Sequence, residues 1–198
     1  MICHKHKFIF VHIPKVAGTS IERWLFKHYD LNEKDHLFFD KNLLHFNQHL
    51  TLSEIQKHRF QEQPFFDYFK FTFVRNPWER MVSAAKYRRM GLTQFLNFDF
   101  TSWIQSRNLD PDRHRLPQYD FLFDDAGNKL IDFIGRFENL QKDFNIICDK
   151  IGIPQQQLPH INRSKHKHYT EYYDDKTREI VAQKYARDIE HFGYEFGE

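Results

Sequence analysis

Residues Phe8 to Ser20 read FIFVHIPKVAGTS, a continuous apolar run that breaks at Pro14 into a turn of small residues carrying one lysine. The run Phe8-Ile9-Phe10-Val11-His12-Ile13 lacks the alternation of a half-exposed strand and is too short for most helices, so it predicts a buried strand of a parallel sheet. Beyond the turn, Ile21, Trp24, Leu25 and His28 fall at i, i+3, i+4 and i+7, the spacing of one buried helix face. A helix N-terminus, worth roughly half a positive charge, is thereby set at the end of a strand. The turn segment Ala17-Gly18-Thr19-Ser20 offers backbone N–H groups with little side-chain obstruction and two hydroxyls, Val16 just before it belongs to the same candidate site, and Lys15 adds a full charge. Such a turn suits a phosphate or sulfate group. It is not spaced as an ATP-binding P-loop, where the lysine directly precedes Ser or Thr, because Lys15 comes four positions before Thr19. Taken alone, the segment also reads as an ordinary strand-to-helix turn with a solvated lysine.

A second turn of the same kind follows. Phe69, Phe71 and Phe73 alternate with Lys70, Thr72 and Val74 as in a strand, after which Asn76 is a good N-cap and Pro77 suits the first helical position. Glu79, three residues after the cap, predicts an Asn variant of the capping box. Trp78, Met81, Val82 and Ala85 form a buried stripe, with Arg80, Ser83 and Tyr87 on a polar stripe running back towards Asn76. Arg75 and Ser83 are thus expected to converge on one ligand, a guanidinium fork and a hydroxyl suited to a phosphate monoester. A solvated helix face is the alternative.

Two oxyanion turns at two strand ends suit a nucleotide that carries phosphate at two places. IPKVAGTS followed by FVRNPWERMVS resembles the paired 5′-phosphosulfate and 3′-phosphate signatures of sulfotransferases that use 3′-phosphoadenosine 5′-phosphosulfate (PAPS). The nearest group is the carbohydrate sulfotransferases of family 2, related to the heparan and chondroitin enzymes and including short bacterial members. QHLTLSEI, GRFENL, LPHINRSKHKHY and DIEHFGYEF are similar to further landmarks of that family, in the expected order. The resemblance implies transfer of a sulfuryl group from PAPS to a hydroxyl of a carbohydrate or glycoconjugate, without a metal. On it, Lys15 contacts the bridging and phosphate oxygens, Gly18, Thr19 and Ser20 donate to the 5′-phosphate, Arg75 and Ser83 take the 3′-phosphate, and Arg163, Ser164 and Lys165 lie in a loop over the nucleotide. QHLTLSEI is similar to a segment that carries catalytic histidines in the heparan enzymes, which makes His49 the expected general base; His45 is second choice and His114 a further candidate. Arg107, Arg113, His114 and Arg115 are expected to hold an anionic acceptor.

Strands alternating with helices predict an α/β fold, a P-loop-like three-layer sandwich with a mostly parallel central sheet flanked by helices. With 198 residues, 40% of them hydrophobic and 22 of them phenylalanine, the chain fits a single domain over 1–198, with 90–118 as a possible substrate-side lobe. Thr51 and Glu54 predict a capping box at the start of a short helix near Leu52. Phe121-Leu122-Phe123 and Leu130 to Ile134 flank turn residues as in a hairpin or two successive strands. Leu140, Phe144, Ile147 and Ile151 predict a helix that Gly152 and Pro154 stop, and a last helix is expected from about Asp175 to His191, with Val181, Tyr185 and Ile189 on one face.

The formal net charge of +2 argues against a dominant electrostatic partner such as nucleic acid. Cys3 and Cys148 are too few for a disulfide framework, and no secretory or membrane-length apolar run is visible, which predicts a cytoplasmic chain without a transmembrane segment, compatible with a homo-oligomer. The lack of an anchor and stem points to a bacterial or viral rather than a Golgi context. Thirteen histidines weaken any single assignment made on composition. The pairs His4/His6 and His166/His168 read better as solvated segments than as metal ligands, and His12 as a hydrogen-bonded structural residue. Two other functions fit parts of the pattern. One is a P-loop-type nucleotide kinase or phosphotransferase; the other is a non-catalytic module that binds polyanions or RNA.

Overall fold

The computed structural model describes residues 1–28, 49–60, 64–88, 100–105, 113–158 and 167–198. Among the described residues four strands form one sheet in the order of the chain: β1 (Ile2–Cys3), β2 (Phe8–Phe10), β3 (Phe69–Val74) and β4 (Phe133–Arg136). β1 runs antiparallel to β2, and β2, β3 and β4 are mutually parallel. Among the described residues seven helices accompany them: α1 (Gly18–His28), α2 (Leu52–Arg59), α3 (Pro77–Arg88), α4 (Phe100–Gln105), α5 (Leu140–Ile151), α6 (Asp175–Lys184) and α7 (Ala186–Phe192). The result is the expected mixed α/β fold with a mostly parallel sheet.

Phenylalanine builds the centre. Phe8, Phe10, Phe71, Phe73, Phe121 and Phe144 are fully buried, and Phe71 lies 5.2 Å from Phe10 and 5.7 Å from Phe8, ring centre to ring centre. Each such ring contributes about 1.5–3 kcal/mol by leaving water. Trp24 of α1 meets Phe144 of α5 edge-on at 4.9 Å, which fixes the helix that follows the first turn against the helix that follows β4. A second cluster, with Trp78 and Met81 of α3, Ile104 of α4 and Val181 of α6, lies away from the sheet.

Several expectations need correction. β2 ends at Phe10, although Val11 still donates to the Phe71 carbonyl, because the Ile13 amide turns back to the Val11 carbonyl at 3.2 Å and Pro14 has no amide to offer. The strand expected over Phe69 to Val74 is β3, and the two polar residues within it, Lys70 and Thr72, are turned inward. Both are buried, Lys70 bridging Asp132 at 2.7 Å and Thr72 donating to the Val11 carbonyl at 2.7 Å. Asn76 caps α3 through the Trp78 amide, yet Glu79 does not close the box: the Asn76 amide donates to Glu138 instead, at 2.8 Å, and Glu79 turns to Arg75. Arg80 is not on a polar stripe but completely buried, donating to the Leu116 carbonyl at 2.6 Å.

Where a hairpin or two successive strands were expected, the pairing reduces to a single bridge, Phe123 to Lys129, between a 3₁₀ turn at Tyr119–Phe121 and β4. The last helix is two, broken at Tyr185, whose buried hydroxyl donates to the Arg115 carbonyl at 2.9 Å. The Thr51–Glu54 capping box on α2 and the left-handed Gly152 that ends α5 are as predicted. Of the 90–118 lobe, only α4 and residues 113–118 fall among the described residues.

Candidate functional site

The first turn forms a concave nest of amides. Lys15 and Ala17 adopt left-handed backbone, φ 71° and 68°, on either side of Val16, and successive N–H groups in such alternation point to a common centre. Non-glycine residues there cost on the order of 1–3 kcal/mol each, a strain that persists only where the surroundings impose it. The Ser20 and Ile21 amides return to the Ala17 carbonyl and so open α1, whereas those of Val16, Ala17, Gly18 and Thr19 take no acceptor among the described residues. An anion set against them would meet four donors and a helix N-terminus.

Gly18 has a steric reason of its own. A Cβ at this position would lie 2.1 Å from the His12 ring, so the loop packs directly on that imidazole. His12 in turn is buried and paired through Nδ1 with Glu22 of α1 at 3.1 Å. The hydrogen-bonding expected of His12 is present, and Glu22 is the partner that sequence reasoning missed. The signal was faint: a carboxylate one position after Ile21, at the border of the buried stripe.

His49, just ahead of α2, stands against this unit. Its ring meets that of His12 edge-on at 4.7 Å, and its Nδ1 lies 2.8 Å from the His12 carbonyl. A carbonyl only accepts, so Nδ1 carries the hydrogen and Nε2 is left with its lone pair. Burial, followed by the neighbouring His12, pushes the imidazole down to about 3. His49 is therefore neutral at pH 7, in the tautomer a proton acceptor requires. Its backbone carbonyl accepts from Arg113 at 3.1 Å, and Arg113 forks onto Glu54 of α2. Burial opposes charge on Glu54, but the bonds from Arg113 and Thr51 hold its carboxyl below the usual range.

The second turn supplies the other cation. Arg75 is buried, its guanidinium stacked 3.9 Å from the Phe137 ring centre, with two N–H groups on Glu79 and a third on the Lys15 carbonyl at 3.2 Å. A guanidinium has five donors, which leaves two for a ligand. Arg75, Glu79, Ser83 and Tyr87 follow one another at i+4 and so share a ridge leading along α3. Both ends of that ridge touch Lys15: Arg75 holds its carbonyl, and its ammonium sits 4.2 Å over the Tyr87 ring. Half-buried Ser83 lies between them. Burial, then the charge of Arg75, lowers the Lys15 ammonium to about 8. Tyr87 is stacked on His114 at 5.2 Å, and His114 meets His49 at 5.9 Å, so Lys15, Tyr87, His114 and His49 form one unbroken chain of contacts.

Thus the structure brings together Lys15 to Ser20, His49, Arg75, Ser83, Arg113 and His114. Arg115 is buried one layer below, donating to the Trp103 carbonyl at 2.9 Å. His45, Arg107, Arg163, Ser164 and Lys165 lie outside the described residues. Among the described residues no group of three or more His, Cys, Asp or Glu side chains is placed to hold a metal ion, and no helix is long and apolar enough to cross a membrane. His4 is engaged with the Tyr68 hydroxyl at 2.7 Å.

The sulfotransferase family model matches residues 1–195. The chain is similar to carbohydrate sulfotransferase 14 of Danio rerio, 26% identical over 98% of this chain and 61% of that protein, and to carbohydrate sulfotransferase 9 of Homo sapiens, 24% identical over 93% and 47%. It therefore spans roughly half to three fifths of the length of these two relatives. It is also 33% identical, over 57% of its length, to an uncharacterized protein of Archaeoglobus fulgidus, 92% of which is covered. No solved structure matches.

Proposed function

From the premise that this chain belongs to the sulfotransferase family, we propose that it transfers a sulfuryl group from PAPS to a hydroxyl of a carbohydrate or glycoconjugate. The observation that carries the reading is the pairing of an amide nest with Lys15 and Arg75 on one side and, through the contacts of Tyr87 and His114, a neutral histidine with Nε2 unprotonated on the other. The two carbohydrate sulfotransferases among its relatives support the choice of acceptor class.

In this reading the nest, Gly18 to Ser20 and Lys15 receive the 5′-phosphosulfate, and the remaining Arg75 donors with Ser83 receive the 3′-phosphate. Arg163, Ser164 and Lys165 complete the nucleotide contacts. His49 Nε2 takes the proton of the acceptor hydroxyl as the acceptor oxygen bonds to sulfur. The bond from sulfur to the phosphate oxygen breaks, its electron pair stays on the phosphate, and Lys15 neutralises that developing charge. At about 3, His49 in the free protein is a weak base. The arriving phosphates bring negative charge, which favours the imidazolium and raises its basicity when both substrates are present. Arg113 and His114, which adjoin His49, face the acceptor in this reading.

Incubation with PAPS and a panel of glycans tests the proposal. Transfer is expected in the wild type, with His49→Ala binding 3′-phosphoadenosine 5′-phosphate nearly normally but losing transfer by about 10²–10⁴-fold, the usual weight of a general base. Undiminished transfer by that variant would move the base elsewhere, and transfer of phosphate from ATP would replace the reading with a kinase.

A further inference from the structure

Arg75 is held by a side chain far from both turns in sequence. Its amide donates to Gln118 Oε1 at 2.9 Å and its carbonyl accepts from Gln118 Nε2 at 2.9 Å, so one amide side chain grips both backbone groups of the arginine as a neighbouring strand would. Gln118 is completely buried and is itself held by Asp188 of α7. The Asp188 carboxylate accepts from the Gln118 amide at 2.9 Å, from Gln118 Nε2 at 3.3 Å and from the Tyr119 amide at 2.8 Å. It is fully buried too, so its geometry is fixed by these donors and by the charge of buried Arg80 nearby. Three donors on one buried carboxylate hold Gln118 in place.

We propose that Gln118, oriented by Asp188, is a positioning residue that sets Arg75 for the 3′-phosphate of the donor nucleotide. The inference rests on the sulfotransferase reading above. Gln118 touches no part of the ligand; it acts through the Arg75 backbone. The same short segment that ends at Gln118 begins at Arg113, which holds the His49 carbonyl, so residues 113–118 connect the nucleotide arginine with the base. The last helix of the chain thereby contributes to donor affinity through Asp188 without approaching the nucleotide.

A double-mutant cycle on the full chain tests this. Affinity for 3′-phosphoadenosine 5′-phosphate is measured by titration calorimetry in the wild type, Gln118→Met, Arg75→Ala and the double variant, at a temperature where circular dichroism shows each folded. Gln118→Met is expected to weaken binding about tenfold, within the coupling range of residues in one hydrogen-bond network, and to add nothing once Arg75 is alanine. A purely structural role would lower the melting temperature while leaving the affinity of the folded protein unchanged, or would weaken both backgrounds equally; either result overturns the proposal. Asp188→Asn is the second variant should Gln118→Met not fold. Its amide replaces an acceptor oxygen facing N–H donors, and the same loss of affinity, dependent on Arg75, is expected. Failure of the wild type to bind would instead overturn the donor assignment, and this role with it.

Discussion

Substitution of Gly18 by alanine isolates the contact between the amide nest and the histidines beneath it. The added Cβ would lie 2.1 Å from both Nε2 and Cδ2 of His12, whereas non-bonded carbon contacts settle near 3.5–4.0 Å, so ring or loop must retreat by well over 1 Å. The backbone is no obstacle, since Gly18 is not in the left-handed region. Nor is the ring free to swing aside. Glu22 holds Nδ1 at 3.1 Å and the rings of Phe10 and His49 stand at 5.9 and 4.7 Å. Overpacking of this kind costs about 1–3 kcal/mol, which in a chain of this size lowers the melting temperature by roughly 2–12 °C. Affinity for 3′-phosphoadenosine 5′-phosphate should fall with it as the nest amides are displaced. Thermal melts of Gly18→Ala in the wild-type and His12→Ala backgrounds make the test: with the ring removed, the alanine should cost almost nothing. An equal loss in both backgrounds, or no loss in either, would refute the steric argument.

Two further predictions concern pH. Lys15 must be protonated to neutralise the departing phosphate, and its value near 8 places the alkaline limb of kcat/KM there rather than above 10; Lys15→Arg should retain whatever activity it has through pH 9. A limb unchanged by that substitution would assign it to another group. His49 is held below its ordinary value of 6.5, so between about 6.5 and 3 the unfolded chain binds a proton that the folded one does not, and stability falls as pH falls through that window. The loss is on the order of 1–2 kcal/mol at pH 5. Denaturant melts of His49→Gln should show a shallower decline than the wild type, and parallel curves would contradict the depressed value.

What sequence revealed and what it hid divide along the range of the interactions. The turn after Ile13, the cap at Asn76, the Thr51–Glu54 box and the Gly152 stop are all made by residues within a few positions of one another, and each was legible. The end of β2 was misjudged by three residues because a short backward bond from Ile13 to Val11 leaves no trace in an apolar run. The local pattern fits Glu79 as a partner in the cap, but Glu138 supplies that bond from 62 residues away and frees Glu79 for Arg75. Arg80 looked like surface because arginine usually is. Its burial depends on Leu116 and Tyr185, which no periodicity within α3 announces. Gln118 and Asp188, 70 residues apart, lacked any signal at all as a pair. In the site, sequence alone marks Lys15, the first turn and Arg75 as candidates for anion binding, and the structure sets them side by side. The use of Gly18 as a seat for His12, and the hold of the His12 carbonyl on His49, emerged only when the loop was seen against its neighbours.

Titration calorimetry with 3′-phosphoadenosine 5′-phosphate beside ATP, with and without Mg²⁺, tests the central claim most directly. The account predicts saturable binding of the 3′-phosphorylated nucleotide that is independent of the metal, stronger than that of ATP, and weakened by Lys15→Ala and by Arg75→Ala. Absence of binding, or a preference for ATP that requires Mg²⁺, would contradict it.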